Sequence, residues 1–328
     1  MAYLLSCIPD NFESFMSSIN PKKIAFVFPG QGSQCIGMGQ EICAFEQNAR
    51  NAFNMVTKEC DFDLQRLAWV GPEEALKRTC YTQPALLATS AACLQALRLH
   101  FTENPLCVAG HSLGEITALW AAGVFTLTQA AEITVLRGQL MENSKPGSMA
   151  AVVGMDAAHV KQICDEYDVV IANYNTQHQQ VISGEKEKVA KVIAAITELK
   201  GKVIPLAVGG AFHSPLMQEA NESFVQKLQE IEFKDAVCPV IQNVDGKPYS
   251  KAVDLKTNLS KQMTSSVQWV ETIENMFALG AECFIEIGSG KVLNGLIRKI
   301  DRSAKVLQVS DPATLQETLN QLNVPCAA

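Results

Sequence analysis

The distribution of apolar residues along the chain predicts alternating strands and helices. Residues 23–28 and 106–109 are short apolar runs of the kind that form strands buried on both faces. Residues 40–60 carry apolar side chains at helical spacing, and residues 83–99 form a long run rich in Ala and Leu. Residues 128–144 predict another helix, with Thr128 as its N-cap. The pattern favours an α/β fold.

Residues 148–208 have a different rhythm, because short strands and helices follow one another closely. Their predicted order is strand, helix, strand, strand, helix, strand, which is the pattern of a ferredoxin-like split unit. Further apolar segments predict strands at 238–243, 284–287 and 305–309, and a helix at 293–300.

We therefore expect an α/β-hydrolase-like large subdomain into which a ferredoxin-like βαββαβ small subdomain is inserted. The large subdomain would comprise residues 23–146 and 209–300, and the small one residues 147–208. Residues 1–22 would be an N-terminal extension, with a possible helix before residue 20, and residues 301–328 a tail packed on the large subdomain.

Composition narrows the environment in which the chain works. Its 328 residues are 48% hydrophobic and carry a net charge of −7, so the surface as a whole would repel nucleic acid and anionic membranes. No apolar run approaches the length of a membrane span, and the N-terminus lacks the pattern of a signal peptide. The 11 cysteines show no metal-ligand spacing and suit a reduced cytoplasmic protein. We expect a cytoplasmic monomer without a metal site.

The most informative stretch is Gly110-His111-Ser112-Leu113-Gly114, a G-x-S-x-G sequence between a predicted strand and a predicted helix. In that setting the glycines allow a sharp turn that exposes a nucleophilic serine at a helix N-terminus. Backbone N–H groups at such a terminus can stabilise an oxyanion. The alternative is a tight turn in which Ser112 is only an N-cap.

Two other glycine-rich segments invite a nucleotide-binding interpretation, and both depart from the required pattern. Gly30 and Gly32 are followed by Cys35 where G-x-G-x-x-G needs glycine, and Lys291 is followed by Val292 where a phosphate loop needs Ser or Thr.

Two further side chains are candidates for chemistry. His213 follows a predicted strand in a Gly-rich loop, where it could serve Ser112 as a base or be merely structural. Arg137 lies on or beside the apolar stripe of its helix, and a buried guanidinium needs an anion. Its partner could be an internal carboxylate, such as Glu115 or Glu132, or a substrate carboxylate.

Taken together, these segments resemble the malonyl-CoA:acyl carrier protein transacylases and the acyltransferase domains of fatty-acid and polyketide synthases. The matching stretches occur in the family's order between about residues 23 and 300; they are Phe28-Pro-Gly-Gln-Gly-Ser-Gln34, Gly110-His-Ser-Leu-Gly-Glu115, Arg137-Gly-Gln-Leu-Met141, Asn173-Tyr-Asn175, Val181-Ile-Ser-Gly184, Ala211-Phe-His-Ser214, Val267-Gln-Trp269 and Glu286-Ile-Gly-Ser-Gly-Lys-Val-Leu293.

The resemblance implies roles for five residues. Ser112 would be the nucleophile that accepts the acyl group, and His213 its general base. The backbone N–H groups of Gln31 and Leu113 would form the oxyanion hole. Arg137 would pair with the free carboxylate of a malonyl group.

Three more roles follow from the resemblance. The backbone carbonyl of Gln268 would orient His213, which would explain why no Asp stands in a triad position. Asn175 would line the substrate pocket from the small subdomain, and Phe212 would narrow that pocket beside the malonyl α-carbon.

The function so implied is transfer of a malonyl group from malonyl-CoA to the phosphopantetheine thiol of acyl carrier protein, with no bound cofactor. Docking an acidic carrier on this acidic chain needs a local basic patch, for which Lys291, Arg298, Lys299 and Arg302 are the candidates; the alternative is an ordinary solvated basic face. A hydrolase with the same Ser and His, or a non-catalytic protein that binds the carrier, are the competing functions.

Overall fold

The computed structural model describes residues 20–323, and its strands form two separate sheets. The strands are β1 (Ile24–Phe28), β2 (Cys107–Gly110), β3 (Ser148–Val153), β4 (Val170–Thr176), β5 (Gln179–Gly184), β6 (Lys202–Pro205), β7 (Val240–Ile241), β8 (Pro248–Tyr249), β9 (Cys283–Ile287) and β10 (Lys305–Val309).

The larger sheet has the order β10-β9-β1-β2-β7-β8 and is parallel except for β8. All five residues of β1 are buried. Ile24, Phe26 and Phe28 face the core on one side of the sheet, and Ala25 and Val27 face the core on the other side. Phe28 of β1 pairs with Gly110 of β2 in the parallel register, so the loops that follow β1 and β2 meet at one edge of the sheet.

Helices cover both faces of this sheet. The helices are α1 (Gln40–Phe45), α2 (Gln47–Lys58), α3 (Leu64–Val70), α4 (Glu73–Leu76), α5 (Thr79–Arg98), α6 (Gly114–Ala121), α7 (Leu127–Glu142), α8 (Ala157–Glu166), α9 (Lys186–Glu198), α10 (Gln218–Glu230), α11 (Ala252–Leu259), α12 (Trp269–Ala278), α13 (Val292–Ile300) and α14 (Pro312–Leu322). Side chains of α12 and α13 pack against Ala25 and Val27, and most other helices pack on the Phe26 face.

The smaller sheet is antiparallel, with the order β4-β5-β3-β6. Helices α8 and α9 cover one face, and from the other face Met149, Ala172 and Val181 join the core of the large sheet. The α/β class and the βαββαβ order predicted for this region are therefore confirmed.

Two helices differ from the sequence prediction. The segment 40–60 is broken at Glu46, which is extended with φ −122° and ψ 126°, and the break leaves Phe45 61% exposed. The N-cap of α7 is Thr126 instead of Thr128, because Thr126 and Gln129 form a capping box.

The helix expected before residue 20 lies outside the described residues. Within residues 20–323, no helix combines the length and apolar character that a bilayer crossing requires.

Candidate active site

The turn between β2 and α6 holds Ser112 in a strained conformation. Its φ is 51°, a left-handed value that costs a residue other than glycine about 1–3 kcal/mol. A Cβ on Gly110 would lie 1.9 Å from the carbonyl carbon of Gly114, and a Cβ on Gly114 would lie 2.1 Å from the carbonyl oxygen of Phe28. The close approach of strand and helix therefore requires both glycines, and it turns the Ser112 hydroxyl out of the bend.

The structure brings Ser112 and His213 together. The Ser112 Oγ lies 2.7 Å from His213 Nε2. His213 Nδ1 lies 3.0 Å from the backbone oxygen of Gln262 and 3.1 Å from that of Ser265. Because carbonyl oxygens only accept hydrogen bonds, Nδ1 carries the proton and Nε2 accepts from the Ser112 hydroxyl. This is the arrangement of a nucleophile with an oriented base.

Burial keeps His213 neutral. Loss of solvation, helped by the nearby positive charge of Arg137, lowers the pKa of His213 to about 3. The imidazole can therefore take a proton from Ser112 throughout the neutral pH range.

The prediction for Gln268 is wrong, because Gln262 and Ser265 supply the carbonyls that orient His213. Gln268 is the N-cap of α12, and its own carbonyl accepts from the N–H and the hydroxyl of Thr272. Gln262 is also a site residue that the sequence did not reveal. Its side chain donates to the Ser112 carbonyl oxygen at 2.9 Å and accepts from Arg137 at 2.8 Å.

Arg137 is fully buried beside the nucleophile. Its Nη2 donates to Ser112 Oγ at 3.1 Å and to Gln262 Oε1 at 2.8 Å, and its Nη1 donates to Gln83 Oε1 at 2.8 Å. Burial lowers the pKa of Arg137 to about 10, which still leaves it cationic at neutral pH. The cation is thus held by neutral oxygens.

The internal carboxylates proposed as partners of Arg137 are engaged elsewhere. Glu132 pairs with Lys227 at 2.9 Å. Glu115 accepts from the Asn243 N–H at 2.8 Å and from Gln242 at 3.1 Å. Within the part of the chain that the structure describes, no carboxylate lies within 4.0 Å of the Arg137 guanidinium. Glu115 acts on Arg137 only at longer range, where its negative charge partly offsets the effect of burial on the pKa of the guanidinium.

The predicted oxyanion donors border the same space. Gln31 and Leu113 line the cavity with Ser112, and neither backbone N–H has an acceptor among residues 20–323. The turn at residues 110–114, which holds Ser112, is here called the elbow. The loop after β1 packs directly on the elbow, since a Cβ on Gly30 would lie 2.3 Å from the His111 carbonyl oxygen. Gln31 is anchored further by a 3.3 Å side-chain hydrogen bond to Thr79.

The space above Ser112 is a cavity of about 90 Å³ between the two sheets. Phe212 lines it, as the sequence predicts, but Asn175 is not among its lining residues; Asn173 is. The Asn175 Oδ1 instead lies 2.8 Å from Nε2 of His111, so Asn175 links the elbow to the small sheet.

The predicted docking residues spread along α13. Lys291, Arg298, Lys299 and Arg302, here called the α13 basic patch, are exposed, and within residues 20–323 none forms an ion pair with a carboxylate. Lys291 follows β9 at the same edge of the large sheet as Ser112, and the neighbouring Gly290 lies against Ser33 of the loop after β1. Arg298 and Lys299 lie in the last turn of α13, where Arg298 donates to the Val306 carbonyl oxygen at 3.4 Å and Lys299 to Gln179 Oε1 at 3.2 Å.

In the described region, no group of three or more His, Cys, Asp or Glu side chains is placed to hold a metal ion.

The chain is similar to known proteins in both sequence and structure. The family model "Acyl transferase domain" matches residues 25–315. The malonyl CoA-acyl carrier protein transacylase of Bacillus subtilis is 40% identical over 309 residues, which cover 92% of this chain and 97% of that protein. The protein of the same name from Staphylococcus aureus is 40% identical over 296 residues, which cover 88% of this chain and 95% of that protein.

Solved structures are also similar to this chain. The crystal structure of a malonyl-CoA:acyl carrier protein transacylase from Xanthomonas oryzae has a TM-score of 0.87 and 37% identity, covering 91% of this chain and 98% of that one. A malonyl-transacylase solved in complex with its type II polyketide synthase acyl carrier protein also has a TM-score of 0.87, with 36% identity and coverage of 91% and 99%.

Proposed function

Because this chain belongs to the malonyl-CoA:acyl carrier protein transacylase family of acyl transferases, we propose that it transfers a malonyl group from malonyl-CoA to the phosphopantetheine thiol of acyl carrier protein. One observation carries the proposal. The Ser112 hydroxyl is shared by a neutral imidazole at 2.7 Å and by a buried guanidinium at 3.1 Å, which has no carboxylate within 4.0 Å among residues 20–323. This combination joins a nucleophile and its base to a binding group for a carboxylate.

In the first half-reaction, Ser112 Oγ attacks the thioester carbonyl of malonyl-CoA as His213 Nε2 takes the hydroxyl proton. The N–H groups of Gln31 and Leu113 stabilise the tetrahedral oxyanion, each contributing about 3 kcal/mol. The C–S bond then breaks, and the proton on His213 passes to the departing CoA sulfur. Malonyl-Ser112 is the product of this half-reaction.

Arg137 selects and orients the acyl group. Its guanidinium pairs with the free malonyl carboxylate in a site that excludes bulk water, where a charge-assisted hydrogen bond is stronger than on the surface. Phe212 limits the room beside the malonyl α-carbon.

In the second half-reaction, the pantetheine thiol of the carrier gives its proton to His213 and attacks the ester. Ser112 leaves as the alkoxide and recovers a proton from His213. Only these side chains and the two thiols take part, so the cycle needs no prosthetic group.

The carrier would approach along the α13 basic patch. Exposed cations that form no ion pair with a carboxylate among residues 20–323 offer, on a chain of net charge −7, a local attraction for an acidic partner. Lys291 is the member nearest the site entrance, and the others extend the attraction along α13.

The fate of the acyl group tests the proposal. The protein is mixed with malonyl-CoA and phosphopantetheinylated acyl carrier protein, and both the carrier mass and free malonate are measured, with Ser112→Ala as the control. We expect malonyl-carrier to form with wild type alone. Release of malonate with unmodified carrier would contradict transfer and establish hydrolysis instead.

A further inference from the structure

The bend at Ser112 has two backbone groups that neither the sheet nor helix α6 satisfies, and the side chain of Asn243 bonds to both. Asn243 Oδ1 accepts from the Ser112 N–H at 2.7 Å. Asn243 Nδ2 donates to the Gly110 carbonyl oxygen, also at 2.7 Å. Asn243 is fully buried just after β7. One amide group therefore spans the elbow on both sides of His111.

The backbone N–H and carbonyl groups of Asn243 are also hydrogen-bonded. Its backbone N–H donates to Glu115 Oε2 at 2.8 Å, and its backbone oxygen accepts from the Gln268 N–H at 2.8 Å. Glu115 lies in the first turn of α6, and its second oxygen accepts from Gln242 Nε2 at 3.1 Å. The amide is thus fixed against the helix that follows the nucleophile.

The opposite side of the nucleophile is fixed by a different residue. Gln262 Nε2 donates to the Ser112 carbonyl oxygen at 2.9 Å. The two peptide groups that flank Ser112 are therefore each bound by a buried side-chain amide. Because a strained φ persists only where the surroundings hold it, these bonds keep Ser112 Oγ in line with His213.

We propose that Asn243 is a positioning residue for Ser112, and that its side-chain amide holds the strained elbow in the reactive geometry. Asn243 acts through Ser112 and lies behind it, away from the acyl group. This role of Asn243 rests on the proposed acyl transfer only for the choice of malonyl-CoA as one of two probes.

Three variants test the assignment. Asn243→Ala removes both elbow bonds. Asn243→Asp keeps the shape, and when its carboxyl is protonated it can still accept from Ser112 and donate to Gly110; once ionised it can only accept. Asn275→Ala is the matched control, because it removes a partly buried side-chain hydrogen bond of 2.9 Å to the Gly246 carbonyl oxygen, away from the elbow.

Two reactions of Ser112 are followed in each variant by intact mass. The first is single-turnover acylation by malonyl-CoA. The second is modification by a fluorophosphonate, in which the Oγ–P bond forms, the P–F bond breaks and His213 takes the hydroxyl proton. Malonyl-CoA affinity is measured separately in the Ser112→Ala background, and thermal unfolding shows that each variant is folded.

We expect Asn243→Ala to slow both reactions roughly 100-fold, the effect of misplacing a nucleophile by about 1 Å, with malonyl-CoA affinity unchanged. Asn275→Ala should react at the wild-type rate. Unchanged reactivity in Asn243→Ala, or a loss matched by an equal loss of malonyl-CoA affinity, would overturn the proposal. Since the fluorophosphonate does not depend on the acyl donor, its result decides on Asn243 even if wild type takes no malonyl group.

Asn243→Asp gives an independent answer if the alanine variant does not fold. Among residues 20–323, the ionisable group in contact with Asn243 is Glu115, and His111, His213 and Arg137 lie on the elbow side of it. Relative to wild type at each pH, the reactivity of Asn243→Asp should rise as pH falls and the new carboxyl is protonated. A constant ratio across pH would contradict the role assigned to the donated bond.

Discussion

Replacing Arg137 with alanine should change which acyl group the protein accepts. In the free protein this guanidinium is fully buried and bonds to neutral oxygens, at 2.8 Å for Gln83 and Gln262 and 3.1 Å for Ser112. Burial lowers the pKa of Arg137 to about 10, against the smaller raising effect of the charge on Glu115, so burial disfavours the charged guanidinium. We expect a malonyl carboxylate in direct contact to stabilise this buried cation more than the longer-range charge of Glu115 does.

The size of the effect follows from removing one partner of a buried ion pair. Such truncations cost about 2–5 kcal/mol, which is roughly a 30-fold to 4,000-fold loss at about 1.4 kcal/mol per tenfold. Acetyl-CoA has no carboxylate, so its loading should change little in Arg137→Ala. The expected result is a fall in the malonyl-to-acetyl ratio of kcat/KM within that range.

The ratio is the decisive quantity because Arg137 also contacts Ser112 Oγ. Single-turnover loading of wild type and Arg137→Ala with malonyl-CoA and acetyl-CoA measures it, with exposed Arg50→Ala as the matched control. If malonyl and acetyl loading fall by the same factor, Arg137 acts on the nucleophile and not on a substrate carboxylate. If neither falls, the assignment of Arg137 is refuted altogether.

Three other predictions concern the elbow, the base and the docking surface. Gly114→Ala would place a Cβ 2.1 Å from a β1 carbonyl oxygen and should destabilise the protein by about 3 kcal/mol or more. Gly295→Ala has open space around the new Cβ and should stabilise α13 by up to about 1 kcal/mol. The urea midpoint of unfolding should therefore fall in Gly114→Ala and rise in Gly295→Ala. Since the pKa of His213 is lowered to about 3, the base stays neutral above that pH, and we expect no loss of Ser112 acylation from His213 as pH falls from about 8 to about 5. The rate is measured in wild type and in Glu115→Gln, because burial raises the pKa of the Glu115 carboxyl to about 7; a decline centred near the ordinary histidine value of about 6.5 in both proteins would contradict the assignment. Arg298→Glu combined with Lys299→Glu should raise KM for the carrier and leave the malonyl-CoA half-reaction unchanged, whereas parallel losses in both half-reactions would refute docking at that patch.

The sequence predicted the elements and residues whose signals are local. The G-x-S-x-G turn between an apolar strand and an apolar helix carries its own geometric requirement, and the structure shows it in the 1.9 Å and 2.1 Å approaches at Gly110 and Gly114. The strand–helix order of residues 148–208 is likewise a local pattern. Helix α14 also begins at a local signal, because Asp311 and Thr314 form a capping box with Pro312 between them.

Contacts made across long separations in the chain had no such signal. Gln262 orients His213 through a backbone carbonyl, a group that every residue has, from 49 positions away. Asn243 reaches the elbow from more than 130 positions away. The pattern around Arg137 predicted its burial, but only the folded structure shows that the side-chain amides of Gln83 and Gln262 hold the guanidinium.

The measurement that tests the central claim most directly is the intact mass of the protein after brief mixing with malonyl-CoA. Ser112→Ala and acetyl-CoA serve as controls for the site and for the carboxylate. The account predicts a malonyl adduct on wild type, none on Ser112→Ala, and a weak adduct with acetyl-CoA. Free malonate without any adduct, or a malonyl adduct that persists in Ser112→Ala, would contradict it.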